Sequence, residues 1–168
     1  MKFRFVLVVV AALALAIPAG AEDGGKNSFK ASLAGFNEVP AISTTGSGEL
    51  RLRIVDDATL AYELTYSDLE GVAVASHVHL GQKSVNGGVM FFVCGGGGRP
   101  ACTSPSGSFS GTVTAVDVIG PAAQGIAPME LAEAIAAIRA GVTYVNVHSL
   151  KHPGGEIRGQ INSEGGDD

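Results

Sequence analysis

The stretch Glu49-Leu-Arg-Leu-Arg-Ile-Val-Asp-Asp-Ala-Thr-Leu-Ala-Tyr-Glu-Leu-Thr-Tyr66 decides the fold class. Leu50, Leu52 and Ile54 alternate with charged residues, and Leu60, Tyr62, Leu64 and Tyr66 repeat the alternation after a short interruption. Side chains on a strand point to opposite faces in turn, so this period of two describes two half-buried antiparallel strands. Asp56-Asp57 between them reads as the turn of a hairpin.

Working outward, further strands are expected at Phe29–Leu33, Val72–Leu80, Gly88–Val93, Gly107–Val116, Val142–His148 and Glu156–Ile161. Glycine-rich breaks separate several of them, and most of the 24 glycines fall in such turns. About eight short strands with turn signals between them predict an all-β protein, a Greek-key sandwich or barrel. One segment departs from the pattern. From Pro128 to Ala140, Leu131, Ile135 and Ile138 are spaced i, i+4, i+7, which predicts one amphipathic crossover α-helix. Pro128 suits its first position, Glu130 and Glu133 its positive end, and Gly141 its C-terminal cap.

The N-terminus reads as a signal peptide over residues 1–21. Lys2 and Arg4 precede an apolar run from Phe5 to Ile17, Pro18 breaks it, and Ala19-Gly20-Ala21 offers a cleavage site after Ala21. The run is shorter than the ~20 apolar residues that a membrane span needs. The expected mature chain begins at Glu22, with a disordered lead-in over 22–28, a domain over 29–162 and a disordered acidic tail over 163–168. Without Lys2 and Arg4, nine basic side chains face sixteen acidic ones, a net charge of −7 with histidine neutral. That balance argues against nucleic acid and anionic membrane surfaces as partners. Secretion or residence in the periplasm follows.

Cys94 and Cys102 flank the flexible run Gly95-Gly-Gly-Gly-Arg-Pro-Ala101. In an oxidising compartment they are expected to form a disulfide that staples this loop.

All four histidines fall into two groups. His77 and His79 sit two apart on a strand, so their imidazoles share a face. His148 ends another strand, and His152 follows just before Pro153-Gly154-Gly155. If the two strands are neighbours, His77, His79 and His148 form a three-nitrogen metal site, with His152 or water as a fourth ligand. Imidazole donors without a thiolate point to copper, with zinc as the alternative. Glu38, Asn146 and Glu156 are candidates to orient those histidines from behind. The competing reading makes the histidines structural, hydrogen-bonded to neighbouring backbone, and reduces Glu156 to a surface ion pair with Arg158. No catalytic nucleophile is evident: there is no Gly-x-Ser-x-Gly, no phosphate loop, and Ser76 lies on the opposite strand face from His77.

Three segments resemble the CHRD domain, the module named for chordin. They are Ala31-Ser-Leu-Ala-Gly-Phe-Asn-Glu-Val-Pro40, Ser76-His-Val-His-Leu-Gly81, and Ala140-Gly-Val-Thr-Tyr-Val-Asn-Val-His148 continued by His152-Pro-Gly-Gly-Glu-Ile-Arg-Gly-Gln-Ile161. The resemblance covers Phe29 to about Asn162 and implies a single-domain secreted member of bacterial type. His77, His79 and His148 match the family's histidines, whereas other residues such as Asn also stand at the position of His152. In chordin such modules belong to an extracellular antagonist of growth factors, a role that does not transfer to a lone domain. The HxH strand with a distant strand-end histidine is also similar to the copper side of copper–zinc superoxide dismutase, but four histidines are too few for that two-metal centre.

Three functions are therefore in play. The first is a non-catalytic exported protein that holds a copper-type ion. The second is an extracellular module for a protein or glycan partner, with structural histidines, and the third is a copper oxidoreductase. The residues favour the first.

Overall fold

The computed structural model describes residues 27–165, so the expected signal peptide lies outside the described residues. Nine strands follow one another as β1 (Ser28–Ala34), β2 (Ser47–Asp56), β3 (Thr59–Ser67), β4 (Ala73–Leu80), β5 (Val89–Cys94), β6 (Gly107–Val113), β7 (Thr143–Ser149), β8 (Ile157–Gln160) and β9 (Asn162–Ser163). One helix, α1 (Leu131–Arg139), precedes β7. Every expected strand is present. The two-residue β9 was not expected, being too short for a periodicity to register.

The strands form one continuous antiparallel sheet in the order β5-β4-β7-β8-β1-β2-β3-β6, with β9 beside β1. The sheet curls into a nearly closed barrel around one core. The deciding alternation is realised as read: Leu50 pairs with Leu64 and Leu52 with Tyr62, all buried, while Arg51 and Glu63 face outward together. The hairpin turn closes when Asp56 Oδ1 accepts the Ala58 N–H at 2.9 Å. Such an Asx turn is why aspartate is favoured there.

The helix differs from the expected span. Met129 adopts φ +72°, a left-handed conformation, and Pro128–Glu130 forms a turn rather than a first helical turn. The Glu130 carboxylate accepts the Ala127 N–H, and the Met129 N–H is drawn to Val118 O. These bonds hold the lead-in against the strand side and delay the helix to Leu131. Its C-terminus follows the expectation. Gly141 at φ +68° donates to Ile138 O, and Val142 donates to Ala137 O. That pair of bonds is the Schellman arrangement, which terminates helices at a left-handed glycine. Leu131, Ile135 and Ile138 join the common core.

β5 and β6 are the two sheet edges, and side chains close the seam where a strand ladder does not. Tyr62 Oη donates to Val93 O, Tyr66 Oη donates to Thr103 O, and the Ile119 N–H donates to Met90 O. Cys94 at the end of β5 is disulfide-bonded to Cys102 in the segment leading into β6. Covering the edges in this way hides backbone groups that would otherwise pair with another chain.

The chain-entropy account gives a loop of this length about 2–3 kcal/mol. Replacing both cysteines by alanine should therefore lower the unfolding free energy by about that amount in urea titrations. An unchanged midpoint would show that the seam holds without the covalent link.

Candidate metal centre

Register brings the two histidine segments together. β4 pairs with β7 so that Ala75 faces His148, His77 faces Asn146 and His79 faces Tyr144. β7 in turn sets Asn146 opposite Arg158 and Tyr144 opposite Gln160 on β8. Residues directly opposite share a face, so His77, His79, His148, Asn146, Tyr144, Arg158 and Gln160 form one polar tract. The other face of the same strands carries Val78, Val145, Val147 and Ile157 into the core.

His77, His79 and His148 are close enough that one nitrogen from each lies within 4.8 Å of the others. Their rings are 4.7 Å (His77–His148), 5.3 Å (His77–His79) and 6.3 Å (His79–His148) apart. His152 lies outside this group. Its N–H donates to Ser149 Oγ, its carbonyl accepts the Gly155 N–H, and its Nε2 is buried without a partner.

Backbone carbonyls set the tautomers. His79 Nδ1 lies 3.0 Å from Gly87 O, and His148 Nδ1 lies 2.9 Å from Pro153 O. A carbonyl only accepts, so each ring donates through Nδ1 and keeps its lone pair on Nε2. Both Nε2 atoms converge on the Asn146 side-chain amide, 3.0 Å from each, and since they offer lone pairs it is the amide NH2 that faces and donates to them. His77 packs edge-on against Phe92, 4.6 Å between centroids, and its Nδ1 is buried without a hydrogen-bond partner.

This arrangement fits a metal ion in its chemistry. The donors are three nitrogens, two of them oriented by an acceptor on the far side of the ring, as metal-ligating histidines are. Metal–nitrogen bonds of ~2.0–2.1 Å place ligands about 3–4 Å apart, so the imidazoles would close in by about an ångström. Burial holds all three in the neutral form that binds metal. It pushes His77 down to about 3, aided by His148 and His79, and His79 down to about 4 against the pull of the Gly87 carbonyl. His148 is lowered too, chiefly by burial.

Two flanking carboxylates differ in character. Glu38 is 6 % exposed, and burial raises its carboxyl to about 7 despite Arg158, the Val39 N–H and the Asn146 amide. It bonds the Asn146 amide that faces the two Nε2 atoms. Glu156, also buried, is engaged elsewhere: its carboxylate accepts from Thr44 Oγ1, the Glu70 N–H and the Gly71 N–H. Burial opposes its charge, but these bonds and one from Ser149 win and hold its carboxyl below the usual range. The supposed Glu156–Arg158 surface pair is absent, for both residues are buried and bonded to other groups.

Arg158 and Tyr144 were not singled out from sequence. The Arg158 guanidinium lies 3.4 Å from the centre of the Tyr144 ring, whose other neighbour is the parallel His79 ring at 4.6 Å. Tyr144 Oη also accepts the Gly87 N–H. Tyr144 shares the alternation of Asn146 and His148 along β7, which is the signal that could have revealed it.

The family model for the CHRD domain matches residues 29–161. The chain belongs to the CHRD-domain family. No curated protein matches it. Within this CHRD domain all three quoted motifs meet on the polar tract: Glu38 from the first, His77 and His79 from the second, and Asn146, His148 and Arg158 from the third.

The pKa shifts give opposite pH signatures. Histidines with depressed folded values contribute stability above the unfolded value near 6.5, and lose it as pH falls toward about 4 and 3. Urea unfolding should therefore weaken across that window, and His79→Gln should flatten the fall. Glu38, with a raised folded value, contributes stability below its unfolded value near 4.5 that is lost as pH rises through about 7. Glu38→Gln should then gain relative stability between those pH values, and parallel curves for wild type and variant would refute the assignment.

Proposed function

We propose that this CHRD domain is a non-catalytic, exported metal-binding protein that takes one copper-type ion on His77, His79 and His148. The observation that carries this reading is the cluster of three imidazoles with one nitrogen from each within 4.8 Å of the others, two of the rings fixed by a carbonyl at Nδ1. His152 from the adjoining turn, or water, supplies the fourth position. Asn146 stands on the Nε2 side and would swing away from the two rings as the ion enters, Glu38 flanks Asn146, and Glu156 holds the loops around them. Copper is preferred over zinc because the donor set is all imidazole and the disulfide fits an oxidising compartment. Bound there, the ion would supply storage, delivery or added stability.

Titration of the protein expressed from its full chain with Cu(II) and Zn(II), beside a His77→Ala/His79→Ala variant, tests this. One ion per chain with a Kd below about 1 µM, lost in the folded variant, is the expected result. Equal, weak binding by both proteins would make the histidines structural and turn attention to an extracellular protein or glycan partner. Turnover of superoxide or peroxide that disappears in His148→Ala would instead favour the oxidoreductase.

A further inference from the structure

The polar tract continues past the histidines into a cleft that the metal chemistry leaves unused. Its floor is the outward face of β1, β8 and β9, where Lys30 pairs with Asn162 and Ala34 with Arg158. The 3-10 turn Gly35–Asn37 and the loop at Lys83–Ser84 form its walls. The cleft measures about 740 Å³, within the size range of small-molecule sites.

Its charge runs against that of the chain. The whole sequence carries −5, yet Lys30, Lys83 and Arg158 line this cleft against one acid, Glu38, whose burial disfavours ionisation. None of the three cations is in ion-pair contact with a carboxylate among the described residues. Arg158 is held instead by neutral acceptors, Val85 O and Asn86 Oδ1. A concave surface of one sign draws an anion.

Two further features narrow the ligand. Gln160 commits its side-chain NH2 to the carbonyls of Gly81 and Gly141, which leaves its Oε1 without a donor, as is Oε1 of Glu38. Both atoms lie buried beneath the cleft floor, so the polar groups open to a ligand's hydroxyls are the exposed Ser32, Asn37 and Asn162 beside them. At the rim, Phe36 is 76 % exposed. It is presented by a firmly built turn: Gly35 O accepts the N–H groups of both Glu38 and Ile42, and a Cβ at Gly35 would lie 2.4 Å from Ile42 O. A fixed aromatic face in water invites a flat, partly apolar partner. One chemistry combines an apolar ring face, several hydroxyls and a negative charge. We propose that the cleft binds an acidic saccharide, with a uronate ring on Phe36, its carboxylate toward Lys30 and Lys83, and its hydroxyls toward Asn37 and Asn162.

Calorimetric titration with trigalacturonate, in EDTA so that bound metal plays no part, tests the proposal on the protein expressed from its full chain. Binding should weaken about tenfold or more in Lys30→Glu/Lys83→Glu, through lost attraction and new repulsion. Phe36→Ala, at an exposed position that the core does not need, should weaken it several-fold, and neutral maltotriose should bind at least about tenfold less tightly. Absence of trigalacturonate binding would overturn the proposal. So would equal affinity for inorganic phosphate, which would make the cleft a plain anion site, or tighter binding of AMP, which also joins a ring to an anion. Indifference to Phe36→Ala would remove the saccharide platform.

Discussion

Arg158 is 2 % exposed, and a guanidinium that far from water must find its hydrogen bonds within the protein. It finds them in the loop after β4, which bends back so that Val85 O and Asn86 Oδ1 meet the side chain. Much else depends on that bend. The same loop brings Gly87 to its place, where its N–H meets Tyr144 Oη and its carbonyl orients His79. A Cβ on Gly87 would lie 1.6 Å from Leu80 O, so the approach is open to glycine alone. The cation also lies on Tyr144 and thereby fixes the ring on which His79 stacks. Burial dominates in holding His79 neutral, and the charge of Arg158 adds to it.

A second buried ionic group organises the other flank. Glu156 gathers Thr44, Glu70 and Gly71, three points on two separate loops, onto one carboxylate. Charged acceptors bonded to backbone N–H groups form strong hydrogen bonds, and removing one partner leaves a costly buried charge. Between Glu156 and Gly155 the chain turns through φ +131°, and a Cβ at Gly155 would meet the Glu38 carboxyl at 2.3 Å. The Pro-Gly-Gly turn thus separates two carboxylates of opposite character. Glu156 is held below the usual carboxylate range by several donors, whereas Glu38 is pushed up to about 7 by burial and keeps one oxygen without a donor.

How far this was legible depends on the range over which each signal acts. Strand alternation is local, so the core residues of β2 and β3 and the shared face of His77 and His79 could be read from the residues themselves. Which strands become neighbours is not local. The meeting of β4 with β7, and hence of His77 with His148, entered as a condition that the register then met. The helix start failed because Pro128 is compatible with a first helical turn and equally with the turn it makes, and contacts to Val118 and Ala127 decide between them. Arg158 was read as a surface group because charge suggests exposure. Its acceptors come from a loop more than seventy positions earlier, and no pattern around Arg158 announces them.

The short strand β9 lies antiparallel to the beginning of β1, with Phe29 opposite Ser163 and the Glu164 N–H bonded to Ser28 O. The chain therefore enters and leaves the domain side by side. A fold with that property behaves as a bead on a loop: it can be inserted into a host protein, or strung in tandem, without straining either partner. Circular permutants that join the two ends and open an exposed turn elsewhere should be tolerated for the same reason. Because Lys30, Asn162 and Ser163 line the cleft, anything tethered at either end emerges at its rim, and a neighbouring bead would gate access to it.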